Sequence, residues 1–237
     1  MLAINGGTPV RDPSTNPWPS WPEWGEGEAE AVLEVLNSGH WSYNGPKEQA
    51  FNKAWSEYLG VSHSLLVANG TVSIQLALEA LDIGRGDEVI VPGLTWQATA
   101  AAVIDINALP ILVDVEPDSW CLSPKAVESA ITERTRAIIP VHLYGAMADM
   151  DEIARIADKH DLYVVEDAAH KHGASWNGRR AGSLGDIGSF SLQLSKVLTS
   201  GEGGILTTDS DELWERLDAL RNCGRRPVQE SSSADMQ

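Results

Sequence analysis

The chain has 237 residues, of which 43% are hydrophobic, and a formal charge of −17. That length fits one large domain or two small ones, and that apolar content excludes a disordered chain. An excess of 34 Asp plus Glu over 17 Lys plus Arg, without a basic cluster, argues against nucleic acid or an anionic membrane as partner.

The opening, MLAINGGTPVRDPS, has neither a basic n-region nor an apolar h-region. No apolar run reaches the roughly 20 residues of a membrane helix, so the cytoplasm is the expected compartment. The two cysteines, Cys121 and Cys223, stand in no CxxC or Cys/His cluster, which argues against structural zinc or a disulfide framework. Next, PWPSWPEW sets Trp18, Trp21 and Trp24 three apart, with Pro17, Pro19 and Pro22 barring a regular helix. It reads as an extended arm whose indoles pack on the body or on a partner subunit, with a PPII-like recognition motif as the alternative. Residues 26–38 read as a helix stopped by Gly39, and residues 47–59 as one stopped by Gly60.

From residue 64 apolar runs alternate with helical segments. SLLVAN (64–69) precedes TVSIQLALEAL, DEVIVP (87–92) precedes TWQATAAAVID, and LPILVDV (109–115) precedes a helix opened by Ser123-Pro124. RAIIPVHLY (136–144) precedes a helix opened by Asp149, with Glu152 at capping-box spacing, and LYVVED (162–167) follows. Continuously apolar strands between helices predict an α/β domain with a mainly parallel sheet covered on both faces. Ligands of such sheets sit beyond the carboxyl ends of the strands.

Those ends carry polar chemistry. Asn69-Gly70-Thr71 joins a strand to a helix N-terminus, which suits a phosphate or serves as an ordinary capped turn. Trp96 follows a buried strand and can stack on a flat ring or act as core packing. Asp167 ends an apolar strand and needs a positive partner: His170, Lys171, His172, a metal or a protonated ring nitrogen, unless it only caps a helix. In FSLQLSKVLTSGEGG (190–204) a strand delivers Ser191, and Lys196 follows before Gly201, Gly203 and Gly204 turn the chain into ILTTD. A nucleophilic lysine needs partial desolvation or electrostatic tuning; the plain alternative is a surface lysine. Together, a phosphate cradle, a stacking indole, an acid for a pyridinium nitrogen and a Schiff-base lysine are what pyridoxal 5′-phosphate requires.

The segments NGT (69–71), GDEVIVPGLTW (86–96), IIPVHLYGAMADMD (138–151), EDAAHKHGA (166–174) and FSLQLSKVLTSGEGG closely resemble the DegT/DnrJ/EryC1/StrS family of PLP-dependent aminotransferases. Within it the chain is most similar to the branch of scyllo-inosose aminotransferases and 3-amino-5-hydroxybenzoate synthase. The resemblance implies the large domain of the aspartate aminotransferase fold (fold type I), with Lys196 as the Schiff-base lysine and Asp167 on the pyridine nitrogen. It implies Trp96 on the ring, Gly70, Thr71 and Ser191 on the phosphate, and His170 against the ring or its 3-hydroxyl side. Lys171 is read as pointing away.

The implied reaction carries an amino group from glutamine or glutamate to a keto-cyclitol or nucleotide-linked keto-sugar. A dehydratase or aromatising synthase, or an inactive PLP-binding module, are the competing readings. Members of the family are longer, share sites across a homodimer and complete the pocket with a small C-terminal domain. The expected organisation is therefore an arm and helix over 1–46, a PLP-binding domain over 47–224, and a polar tail over 225–237 at a truncation point.

Overall fold

The computed structural model describes residues 1–225, which group into two compact units, residues 1–41 and the chain from Ser42 onward. In the first unit, α1 (Glu26–Ser38) opens where Glu28 Oε2 takes the Gly25 N–H at 2.7 Å and stops at Gly39, whose φ of +71° suits glycine. Trp18, Trp21 and Trp24 are exposed, and the Arg11 guanidinium lies 3.9 Å over the Trp18 ring.

The second unit alternates helices and strands. Pro46 at the first helical position starts α2 (Pro46–Leu59), and Gly60 at φ +75° ends it. Then come β1 (His63–Val67), α3 (Gly70–Ala80), β2 (Glu88–Pro92), α4 (Ala98–Asp105), β3 (Leu109–Val113), α5 (Pro124–Ala130) and β4 (Thr135–Ile138). Next are α6 (Met150–His160), β5 (Tyr163–Asp167), the short hairpin β6 (Ser175–Trp176) and β7 (Arg179–Arg180), β8 (Ile187–Ser191), β9 (Gly204–Thr208) and α7 (Asp211–Arg221).

Seven strands form one sheet in the order β1-β9-β8-β5-β4-β2-β3. Every neighbouring pair is parallel except the two that involve β9, which runs against both β1 and β8. Adjacent residues of one strand enter opposite cores, as period-two alternation requires. Val89 and Val91 pack with Ile74, Leu78 and Val103 of α3 and α4, whereas Ile90 packs with Val127, Ile153 and Ile156 of α5 and α6. Phe190 and Ile205 extend the second face onto Trp55 of α2. Both faces are thus covered by helices, which is why these strands read as unbroken apolar runs.

Two caps differ from expectation. Asp149 accepts the Glu152 N–H at 3.1 Å, but Glu152 pairs with Arg155 at 2.9 Å instead of reciprocating. Ser123 gives its hydroxyl to Glu116 (2.5 Å) and does not cap α5. The ladder of β4 stops at Ile138 because Pro140 has no N–H to offer, and a single bridge from Val141 to Asp167 resumes it. Among the described residues no helix is long and apolar enough to cross a membrane.

Candidate active site

A cavity of about 620 Å³ opens at the carboxyl ends of the strands, and every residue expected there lines it. The chain after β1 supplies Gly70 and Thr71, and the chain after β2 supplies Trp96. The end of β5 supplies Asp167 and His170, and β8 with its following loop supplies Ser191 and Lys196.

Part of the cavity lining is suited to an anion. Asn69 Oδ1 takes the Val72 N–H at 2.9 Å, while the N–H groups of Gly70 and Thr71, first in α3, find no acceptor among the described residues. Ser191 crosses so close to Gly70 that a Cβ there would lie 2.8 Å from the serine Cβ; glycine is required by contact. Gly204 is required likewise, since its Cβ would meet Asn69 O at 2.4 Å. The Ser73 hydroxyl ties the helix start to the sheet through Ser189 (2.5 Å) and Gly70 O (2.7 Å).

Asp167, also in the lining, is buried. Its Oδ2 accepts from the Thr99 hydroxyl at 2.8 Å and its Oδ1 from the Ala169 N–H at 3.2 Å. Thr99 accepts in turn from Thr95 (2.9 Å), so the first turn of α4 orients the carboxylate. Neither threonine was expected from sequence, although their i, i+4 spacing beside a strand end was visible. Lys196 is half-buried on the loop joining β8 to β9. Burial lowers its amine below the ordinary lysine value, against the opposing pull of Asp167. The loop is drawn tight by Leu192 N–H to Gly203 O (2.8 Å), Leu194 N–H to Gly201 O (2.9 Å) and Lys196 N–H to Gln193 O (2.9 Å). Burial, and then the Lys196 charge, hold the His170 imidazole below its usual value, with Asp167 opposing. Trp96 borders the cavity with 68% of its surface exposed.

Lys171 and His172 do not line the cavity. Lys171 is buried, and His172 packs between Phe190 (5.4 Å) and Trp55 (6.0 Å), where burial pushes it down to about 4. Among the described residues no group of three His, Cys, Asp or Glu side chains is placed to hold a metal ion. Sequence also missed the support behind Asp167. Its neighbour Glu166 accepts from Gly182 N–H (2.9 Å), Leu184 N–H (2.5 Å), Gly185 N–H (2.8 Å) and His142 Nε2 (3.0 Å). Because His142 Nδ1 accepts from Ala148 N–H, the ring proton is on Nε2.

Solved structures share the fold that carries this site. An aminotransferase from Psychrobacter cryohalolentis superimposes with a TM-score of 0.88 at 38% identity, covering 93% of this chain and 57% of its own. 3-Amino-5-hydroxybenzoic acid (AHBA) synthase gives 0.85 at 38% identity, covering 87% and 55%. The sheet and its helices are thus the large-domain fold of PLP-dependent fold-type I aminotransferases. An L-glutamine:2-deoxy-scyllo-inosose aminotransferase from Streptoalloteichus tenebrarius is 50% identical over 230 residues, 94% of this chain and 54% of that protein. Residues 22–236 match the DegT/DnrJ/EryC1/StrS aminotransferase family, and the chain belongs to it. It spans about half the length of the curated relatives it matches.

Proposed function

We propose that the chain is the cofactor-binding part of a PLP-dependent aminotransferase that carries an amino group from glutamine or glutamate to a keto-cyclitol or a nucleotide-linked keto-sugar. The observation that carries this reading is one cavity lined by an anion cradle at Gly70, Thr71 and Ser191, a buried carboxylate and a half-buried amine. That donor set fits pyridoxal 5′-phosphate: Gly70 is glycine because Ser191 presses on it, and Asp167 keeps acceptor capacity that the described residues leave unused. When bound, the cofactor supplies an electron-withdrawing ring and a carbonyl that holds the amino group between donor and acceptor.

The chain does the rest. The N–H groups of Gly70 and Thr71 and the Ser191 hydroxyl bind phosphate. Asp167, fixed by Thr99, would keep a proton on the ring nitrogen, Trp96 would cover the ring, and His170 would meet the ring or its 3-hydroxyl side. Lys196 Nζ would hold the cofactor and, once the donor's amine takes its place there, would be free to move the proton at the substrate carbon; its lowered affinity for protons suits both tasks.

A homodimer with shared sites in the longer form, the cytoplasm as compartment, and small molecules as the only substrates complete the reading. Two cysteines without a disulfide fit a reducing compartment. To test it, the chain is mixed with pyridoxal phosphate, reduced with borohydride and digested. The label is expected on Lys196; a label on Lys171, or none, overturns the assignment. With glutamine and 2-deoxy-scyllo-inosose the expected product is the amine, and elimination without amino transfer would replace the aminotransferase by the dehydratase.

A further inference from the structure

Positive φ is sterically costly for any residue with a Cβ, and Asn and Asp tolerate it best. Among the described residues eight non-glycine positions adopt it, and five of these are Asn or Asp. The other three are Cys223, Trp120 (φ +60°) and Tyr144 (φ +46°), and the two aromatics touch each other. Their rings stand edge to face, with centroids 5.8 Å apart and planes at 77°. The Tyr144 ring lies 6.5 Å from His170, which lines the cofactor cavity.

Each ring is held by defined backbone. Trp120 sits in a hairpin closed by its own N–H to Glu116 O (2.8 Å) and by Glu116 N–H to Cys121 O (2.9 Å). Tyr144 follows the end of β4, in a turn closed by Ala146 N–H to Leu143 O (2.9 Å). Asn or Gly would serve either backbone better. Core packing does not explain the aromatics, because 53% of Trp120 and 65% of Tyr144 stay exposed. Costly backbone under two exposed rings, one of them 6.5 Å from a residue of the cavity lining, is the pattern of a ligand contact.

We infer that Trp120 and Tyr144 form an aromatic corner at the mouth of the cavity that receives the C–H face of a polyhydroxylated six-membered ring, the amino acceptor. The electron-rich ring faces attract polarised C–H groups. An edge-to-face pair makes a corner that a puckered ring fills, whereas a planar base finds no pair of parallel faces to enter. The identity of the ligand as acceptor rests on the aminotransferase reading above; the contact itself does not.

The test uses Trp120→Asn, Tyr144→Asn and the double variant, because Asn is at home at positive φ and preserves the backbone. Myo-inositol, which has no ketone to react, is the binding probe, followed by saturation-transfer NMR on the full chain. Its signal is expected with the parent chain and to fall about fivefold or more in the double variant. Glutamine-driven loss of the cofactor's absorbance measures the donor half, and the KM for 2-deoxy-scyllo-inosose the acceptor half. The KM should rise about tenfold with the donor half little changed. No myo-inositol signal with the parent chain, equal signals in both proteins, or equal losses in both half-reactions would overturn the inference. A parent chain that ignores glutamine yet loses myo-inositol on substitution would keep the aromatic corner and remove the aminotransferase reading instead.

Discussion

Glu166 and Asp167 are neighbours on β5 and both are buried, yet they are treated in opposite ways. A carboxylate has roughly four lone-pair sites. Glu166 has all of them engaged, by three backbone N–H groups and His142. Among the described residues, the Asp167 side chain accepts from Thr99 and Ala169 alone, and it lines the cavity. The first anchors the loop at residues 182–185 to the sheet; the second keeps capacity for something that arrives from outside. Saturation separates the two acids where burial alone does not, and it is the unsaturated one that the proposed function uses.

The largest expected effect falls on the amine that shares the cavity with Asp167. Lys196→Ala should abolish the borohydride label and lower transamination by about 10³-fold or more, read from single-turnover absorbance. Exchanging the two acids one at a time tests the contrast directly. Asp167→Asn should cost about 10²–10³-fold in rate and leave the thermal midpoint nearly unchanged. Glu166→Gln should remove about 3 kcal/mol of stability, measured by denaturant unfolding, while the folded fraction keeps its rate. If both variants lose rate and stability alike, the contrast collapses.

A third buried ionisable group sharpens it by pH. His172 titrates at about 4 when folded, against an ordinary 6.5. Between these values the unfolded chain binds the extra proton, so stability falls as pH drops from 6.5 toward 4 and rises again on return. This residue should account for about 3 kcal/mol across that window, and His172→Phe should flatten the curve. The smallest effect is expected from Thr99→Val, which removes one donor from Asp167 and should slow the donor half-reaction about tenfold.

Much of this was legible in the sequence. Apolar runs cut by Gly39, Gly60 and the Asn69-Gly70 turn gave element order, because glycine at positive φ ends α1 and α2, Asn69 caps the start of α3, and buried strands need no alternation. The strand-end rule led to the residues that line the cavity. The reversal of β9 was not visible, since its residues would read the same in either direction. Helix α7 and the β6–β7 hairpin lay past the regular alternation. Thr99 and Glu166 escaped because their partners come from distant segments: α4 reaches across to β5, and the loop at 182–185 folds back over it.

The reversed strand also constrains how this gene can change. Because β9 lies between β1 and β8, the segment from Leu192 to Gly203 is pinned at both ends, by Leu192 N–H to Gly203 O and by the pairing of Ser191 with Gly204. Exposed positions within it, such as Val197 and Leu198, are free to drift in chemical character. An insertion or deletion is not neutral, since one added residue would carry the Lys196 amine away from Asp167 while both strands stayed in register. In related chains, length rather than composition is the trait of this segment that selection should preserve.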